Sequence, residues 1–436
     1  MQILKVLFRT ACGPGVVGLL LASSLPVAAQ ESLTWEQAKA KFEAANPVLR
    51  ADEINVKEMK AEEITAFLRP NPGIGLSTDG IQVAPHTTPG VGTHWMPLTG
   101  AQLVPSISYL HERQRKRELR LETAKEGTQI AGSQHEDLER NLLFDLRSVF
   151  VQTLQAKAVL ELAKADLEYY DKIIEISRSR FKAGDIAKID LARIELLRVQ
   201  YEAETETAIV NLRTSKIQLL QLLDERTPVD QFDVTGNFDW SGALQPLDDY
   251  RQIALDNRPD LRAAIESIQQ SKTNHKLAVS NGSTDPTYST WYSYNPAFNN
   301  AFGRYTLGAS VSIPLRIFDR NQGEKERTLL DIGRSQETED AAKAQVFTDV
   351  DSSYELLRSN IALLKPYKAQ YLDWSVYVRD TVTYSYQNGG ASLMDFLNAQ
   401  SDYRVVQLAY LQLIGAYMTA EGQMNLAVGH EVFNDN

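Results

Sequence analysis

The chain has 436 residues, a formal net charge of −11 and a single cysteine, Cys12. A chain this acidic has no basic surface for nucleic acid, so nucleic-acid-binding proteins are excluded as a class. Because the only cysteine lies close to the N-terminus, disulfide bonds, Cys–zinc sites and cysteine nucleophiles are excluded from the rest of the chain.

Residues 1–29 have the composition of a secretory signal peptide. Lys5 and Arg9 supply a positive start, and a short apolar run and small residues follow. The apolar run is too short to span a membrane. Cys12 precedes this run, which is not the place of a lipoprotein cysteine. We therefore predict export, a mature chain that starts near Gln30, and no lipid anchor.

Two helices are predicted after the signal peptide. Thr34 and Gln37 form a capping-box pattern at the start of the first helix. Asn46 then caps a second helix, with Pro47 at its first position, where the missing N–H costs nothing. The second helix should continue to about Leu68 and stop before the prolines that follow.

Four strands of alternating apolar and small polar residues are predicted, at about residues 73–83, 101–109, 286–295 and 304–313. From Tyr305 to Ile313 the odd positions are apolar and the even positions are Thr, Gly or Ser. This period of two predicts a sheet with one apolar face and one small polar face. A soluble hairpin with one wet face would alternate too, so the strands alone leave a membrane barrel and a soluble sheet both open.

Very long helices are predicted after each pair of strands. No proline occurs from His111 to about Lys182, which corresponds to a rod of roughly 105 Å. Apolar or small residues recur there at alternating spacings of four and three, at Leu142, Leu146, Val149, Thr153, Ala156, Leu160, Ala163, Leu167, Tyr170 and Ile174. This spacing is typical of coiled-coil packing. Pro366 should bend the penultimate helix locally.

The two halves of the chain contain similar segments in the same order. Residues 46–51 have a counterpart at 258–263, and residues 181–190 have one at 386–395, at offsets of 212 and 205. These matches predict an internal duplication. The predicted organisation is a first repeat at 30–223, a loop-rich connector at 224–246 and a second repeat at 247–430.

Four membrane strands per chain cannot close a barrel, because about eight is the minimum and an open edge in lipid leaves backbone groups unpaired. Closure therefore requires other copies of the chain. A barrel of about eight strands is filled by its own side chains, whereas a larger one can hold an open lumen. Since long helices follow each strand pair, we predict a trimer, with a membrane β-barrel joined to a long α-helical barrel.

The two predicted helix–helix turns contain the candidate functional residues, which are Gly184, Asp185, Asp190, Gly389, Gly390, Asp395 and Asn398. Gly184 and Gly389 provide the left-handed backbone of a tight turn, and turn chemistry alone would explain both. Three copies of Asp395 would form an acidic ring that attracts cations. Alternatively, its carboxylate stabilises the N-terminus of the last helix.

No metal, cofactor or catalytic site is predicted. None of the six histidines forms an i, i+4 pair, the spacing with which one helix face binds zinc. The chain also lacks a phosphate-binding loop, a Gly-x-Ser-x-Gly motif and a His-Glu-x-x-His motif. We therefore predict that the protein is not an enzyme.

The segment from Ile313 to Gly323, with the sequence IPLRIFDRNQG, resembles a motif of the TolC-like outer-membrane efflux family, also called outer membrane factors. The order of elements and the duplication support the same resemblance, which covers residues 31–430. Within the family, the FDRNQG run and Leu68–Pro72 are most similar to the branch that serves cobalt–zinc–cadmium cation efflux.

This resemblance implies an outer-membrane homotrimer with two structural repeats per chain, a twelve-stranded barrel in lipid and a periplasmic helical tunnel. It implies two partners, a periplasmic adaptor (membrane fusion protein) and an inner-membrane RND pump. The helix–helix turns would then form the periplasmic entrance and contact the adaptor. Family members often have a second Asp one turn after the position of Asp395, where this chain has Asn398.

The resemblance leaves the cargo open between heavy-metal cations and organic compounds. The alternative function is a periplasmic coiled-coil adaptor or scaffold without a pore of its own. An adaptor would carry a small barrel domain beside one helical hairpin, whereas this chain has two hairpins with strands between them.

Overall fold

The structure, a computed structural model, describes residues 31–95, 97–98 and 100–433. The predicted signal peptide lies outside the described residues. The helices are α1 (Trp35–Ala45), α2 (Pro47–Ala66), α3 (Lys116–Ala183), α4 (Lys188–Leu222), α5 (Leu247–Asn257), α6 (Pro259–Asn281), α7 (Ala301–Arg304), α8 (Gln322–Pro366), α9 (Leu372–Gln387) and α10 (Leu393–Val428). The strands are β1 (Glu31–Leu33), β2 (Gly73–Asp79), β3 (His86–Thr88), β4 (Gly92–His94), β5 (Gln102–Leu110), β6 (Phe232–Val234), β7 (Thr287–Tyr294) and β8 (Tyr305–Ser312).

The first two helices begin as the sequence predicts. The Thr34 hydroxyl accepts a hydrogen bond from the Gln37 amide N–H, and the Gln37 side chain accepts one from the Thr34 amide, so the capping box is confirmed. Asn46 Oδ1 accepts hydrogen bonds from the amides of Val48 and Leu49, at 2.9 and 3.2 Å. These bonds satisfy amides that have no partner within the helix.

The main sheet is antiparallel, with the strand order β2-β5-β7-β8. β2 ends at Asp79, earlier than the predicted residue 83, because Gly80 turns the chain with a φ of +73°. The helix predicted from His111 begins only at Lys116, since β5 continues to Leu110 and Gln114 and Arg115 adopt positive φ angles of 59° and 57°.

Two further strand pairs were not predicted. β1 pairs in parallel with β6, which lies in the segment predicted as a loop-rich connector. β3 and β4 form a short hairpin inside the loop between β2 and β5. Each of these strands has three residues, too few for an alternating pattern to be recognised.

The long helices pack side by side into two helical hairpins, α3–α4 and α8–α10. α3 has 68 residues, which corresponds to about 100 Å. The ten predicted coiled-coil positions on α3 are all buried or half-buried. After Pro366 the backbone forms a π-helical segment at Tyr367–Tyr371 before α9 continues, the kind of local irregularity expected at a proline. Among the described residues, no helix is both long enough and apolar enough to cross a membrane.

The largest hydrophobic core lies where α1, α3, α4, α8 and α10 meet the β1–β6 pair. Its fully buried side chains include Phe42, Leu146, Leu219, Val234 and Leu357. This core holds the two helical hairpins together near their middle, with the sheet at one end of the chain and the helix–helix turns at the other.

Candidate functional site

The predicted glycines lie at the two helix–helix turns, and both turns have the same backbone. Gly184 and Gly389 have φ angles of +85° and +78°. In each turn the following residue donates a backbone hydrogen bond to a carbonyl five positions earlier: Asp185 to Arg180 at 2.9 Å, and Gly390 to Ser385 at 2.8 Å. This is the Schellman arrangement, which needs a left-handed residue and therefore favours glycine.

The helix that follows the second turn begins with a capping box. Ser392 Oγ accepts a hydrogen bond from the Asp395 amide at 3.2 Å, and Asp395 Oδ2 accepts bonds from the Ser392 amide at 3.1 Å and the Ser392 hydroxyl at 2.7 Å. These hydrogen bonds to the ionised form hold the pKa of Asp395 below its usual value. The carboxylate is exposed, as is Asn398 one turn later.

The helix after the first turn begins differently. Ala187 precedes α4 and makes no side-chain cap. Asp190 lies in the first turn of α4 and is half-buried, and Asp185 is exposed. The structure therefore places all seven predicted residues at one end of the molecule, on two turns that differ in how their return helices start.

An apolar cluster beneath the turns joins the two hairpins. Its buried residues are Tyr170, Ile173, Ile174, Ile194, Tyr201, Tyr386 and Phe396. The rings of Tyr386 and Phe396 stack with centroids 5.0 Å apart. The Arg180 guanidinium donates a hydrogen bond of 2.7 Å to the Tyr386 carbonyl and lies 5.2 Å from the centre of its ring. Sequence analysis predicted coiled-coil positions on single helices but missed these contacts between hairpins.

A second cluster, further along the helices, is charged and half-buried. Arg404 of α10 pairs with Glu204 of α4, and Arg379 of α9 lies 4.1 Å from the ring centre of Tyr403. Asp166 of α3 is near both arginines, yet burial dominates and raises its pKa to about 6. No signal in the sequence marked Asp166, because its burial depends on helices that are distant along the chain.

The main sheet separates its side chains into two faces. Residues paired across an antiparallel sheet point to the same side, so the register assigns each face directly. We define the apolar face as Ile74, Leu76, Leu103, Ile107, Tyr109, Tyr288, Tyr292, Tyr294, Tyr305, Leu307 and Val311. We define the polar face as the opposite side, which holds Gly73, Gly75, Ser106, Ser108, Ser289, Trp291, Ser293, Gly308, Ser310 and Ser312, together with the apolar Val104 and Leu110.

The apolar face is uncovered in the single chain. Ile74 is 87 % exposed, Leu307 81 % and Leu76 70 %. A continuous exposed apolar surface of this kind marks a site of contact with lipid or protein. The outer strands β2 and β8 also each have one edge that no other strand of the sheet covers.

No cluster of three or more His, Cys, Asp or Glu side chains that could hold a metal ion is found among the described residues. Residues 86 and 94 pair across the short β3–β4 hairpin, which brings two histidine positions together in the backbone. A pair at the tip of a loop does not supply the three or four protein ligands of a usual zinc site.

Comparisons with known proteins agree with this geometry. Residues 250–430 match the family described as outer membrane efflux protein. The matched segment covers most of the second half of the chain, which is therefore similar to outer membrane efflux proteins. The description of the family names efflux proteins, and one relative is named an outer membrane protein.

Two curated relatives and one solved structure show the extent of the similarity. The chain is 22 % identical to the cobalt-zinc-cadmium resistance protein CzcC of Cupriavidus metallidurans, over 72 % of this chain and 74 % of that protein. It is 24 % identical to the outer membrane protein TolC of Escherichia coli, over 88 % and 80 %. The crystal structure of CusC superposes with a TM-score of 0.75 at 15 % identity, covering 91 % of this chain and 92 % of CusC. The chain therefore has the TolC-like outer-membrane channel fold.

Proposed function

We propose that this protein is the outer-membrane channel of a tripartite, RND-type efflux system, and that it conducts substrates without catalysing a reaction. The apolar face of the main sheet is the observation that carries this proposal. One face of the sheet carries exposed Ile, Leu, Val and Tyr side chains, and the other face is rich in Ser and Gly. This arrangement suits a wall between lipid and a water-filled lumen. Tyr109 and Tyr288 lie near one end of this face and Tyr294 and Tyr305 near the other, as the aromatic girdles of membrane barrels do.

The free edges of β2 and β8 support a homotrimer. In lipid, an unpaired strand edge leaves N–H and C=O groups without partners at a cost of several kcal/mol each. Pairing β8 of one chain with β2 of the next would remove every edge, and three chains would give a barrel of about twelve strands. A barrel of that size has room for a lumen, whereas about eight strands would be filled by side chains.

In this proposal the helices extend into the periplasm, and the two helix–helix turns form the entrance that faces the pump. The turns with Gly184, Asp185, Asp190, Gly389 and Gly390 then contact a periplasmic adaptor. The exposed position of Gly184, Asp185, Gly389 and Gly390 at the end farthest from the sheet supports that assignment. Residues 1–29 serve as a signal peptide that is removed on export.

Purified protein provides the test of the channel. The mature protein should require detergent, run as a trimer and open ion-conducting pores in planar lipid bilayers. A monomer that stays in solution without detergent would overturn the proposal and favour the alternative, a periplasmic coiled-coil adaptor or scaffold.

Heavy-metal cations are the cargo that the similarity to CzcC favours, since that relative is named for cobalt, zinc and cadmium resistance. A strain without the protein should then become sensitive to these metals and regain resistance when the gene is returned. Sensitivity to a panel of organic drugs and not to the metals would show that the cargo is organic.

Asp395 is the candidate selectivity residue at the entrance. Three exposed carboxylates around one opening would attract cations and repel anions. We expect Asp395→Asn to weaken cation selectivity and the block by multivalent cations in planar bilayers. Asp190→Asn, on the other turn, is the matched control and should change selectivity less. Unchanged selectivity in Asp395→Asn would leave this residue with its helix-capping role only.

A further inference from the structure

Trp291 is the one aromatic side chain on the polar face of the main sheet. The register aligns Gly75, Ser106, Trp291 and Gly308 in one row across all four strands. In the next row, Gly73, Ser108, Ser289 and Ser310 align in the same way. Trp291 is therefore the one large side chain in these two rows, and its neighbours across the sheet are Ser106 and Gly308.

The indole of Trp291 lies against Gly308. A Cβ atom at position 308 would be 2.9 Å from Nε1 and closer still to Cε2 and Cζ2. Real Cβ atoms do not approach heavy atoms so closely, so only glycine permits this arrangement. Gly308 has an ordinary strand conformation rather than a positive φ. A glycine is therefore required here because the indole ring needs the space, and not because the backbone needs unusual freedom.

A similar contact between a side chain and a glycine occurs at the other edge of the sheet, with a smaller side chain. Ser106 leans over Gly75, where a Cβ would lie 2.7 Å from the serine hydroxyl. Each inner strand thus places its side chain over a glycine of the neighbouring outer strand.

We propose that the Trp291–Gly308 pair sets the free cross-section of the channel lumen at this level. This inference rests on the proposed function, because the polar face must line a lumen. A side chain at position 308 would displace the indole, since its ring is the movable partner and the paired backbone of β7 and β8 is not. The displaced ring would move away from the sheet, and three copies would then narrow one level of the lumen.

Single-channel conductance of the full-length trimer in planar bilayers, with potassium chloride as the only electrolyte, tests this proposal. Gly308→Val should lower the conductance. Ser310→Ile adds about the same side-chain volume on the same strand and face without an indole beneath it, and should lower the conductance less. Trp291→Ala should raise the conductance, and the double variant Gly308→Val/Trp291→Ala should recover at least the wild-type value.

Two results would overturn the proposal: equal conductance losses in Gly308→Val and Ser310→Ile, or a double variant as impaired as Gly308→Val alone. If Gly308→Val fails to form trimers, recovery of trimers in the double variant supports the close packing, and no recovery contradicts it. A wild-type protein that opens no pores would overturn the proposed function and this inference with it. If the wild type opens pores but the variants have the same conductance as the wild type, this inference alone would be overturned.

Discussion

The two helix–helix turns have the same backbone, but their return helices start with different chemistry. At the spacing of 205 residues, Gly184 aligns with Gly389 and Asp190 with Asp395. Ala187, however, aligns with Ser392, and only the serine completes a capping box. An aspartate at the same helical position therefore has a defined hydrogen-bonded role in one turn and not in the other.

Burial differs between the turns as well. Phe396, directly after Asp395, is fully buried against Tyr386, whereas the aligned Leu191 is half-buried. The second turn thus has both the stronger cap and the stronger apolar anchor. We infer that it is the more rigid of the two, which suits a turn that carries the candidate selectivity residue.

The largest expected effect comes from removing the apolar anchor. Phe396→Ala should lower the free energy of unfolding by about 3–5 kcal/mol, because it empties a fully buried site. Leu191→Ala should lower the free energy of unfolding clearly less, because the Leu191 side chain is already partly exposed to water. Thermal unfolding of both variants in detergent measures the difference, and equal losses would show that the two anchors are equivalent.

The turn glycines should behave alike. Gly389→Ala and Gly184→Ala each force a side chain into the left-handed region, at a cost of about 1–2 kcal/mol. Open space surrounds both positions, so no steric clash adds to this cost. Gly132→Ala is a suitable control, because Gly132 lies inside α3 with no atom within 4 Å of the added methyl group. It should stabilise the protein by roughly 0.5–1 kcal/mol.

Exchanging the capping residues should reverse the difference in N-terminal capping between α4 and α10. Ser392→Ala should destabilise the protein by about 1 kcal/mol, the usual cost of losing an N-cap side chain. Ala187→Ser should stabilise it, because the first amides of α4 offer donors that the alanine leaves without a side-chain acceptor. Unfolding midpoints of the two single variants and of the double variant test this, and a destabilising Ala187→Ser would contradict it.

The smallest effect concerns pH. The Ser392 hydrogen bonds lower the pKa of Asp395, so the folded state favours the ionised carboxylate. The stability that this provides is fully present above the unfolded-state pKa of about 4 and is lost as the pH falls through the lower folded-state pKa. The stability difference between the wild type and Asp395→Asn should therefore be present at neutral pH and vanish in strong acid.

A background that lacks the serine provides the control for that measurement. In Ser392→Ala, the further change Asp395→Asn should alter the pH dependence of the unfolding midpoint far less. An identical pH profile in both backgrounds would show that Ser392 does not determine the titration of Asp395.

Several features of the fold and of the candidate site could be predicted from the sequence because they depend on neighbours within a few residues. The turn glycines, the Thr34 capping box and the Asn46 cap are examples, and the Ser392 capping box could have been found by the same rule. The cluster around Arg180, Tyr386 and Phe396 could not, because it joins helices that are separated by about half the chain. The raised pKa of Asp166 has the same origin, since burial by distant helices causes it.

By itself, the sequence determined the alternation of the strands, the coiled-coil spacing of α3 and the family motif between Ile313 and Gly323, all of which are periodic or contiguous patterns. Tertiary structure alone decided the pairing of β1 with β6, the half-burial of Asp166 and the alignment of Trp291 with Gly308. A one-residue shift in strand register would move Trp291 off that glycine. Register is set by contacts across the whole sheet, which no short stretch of sequence contains.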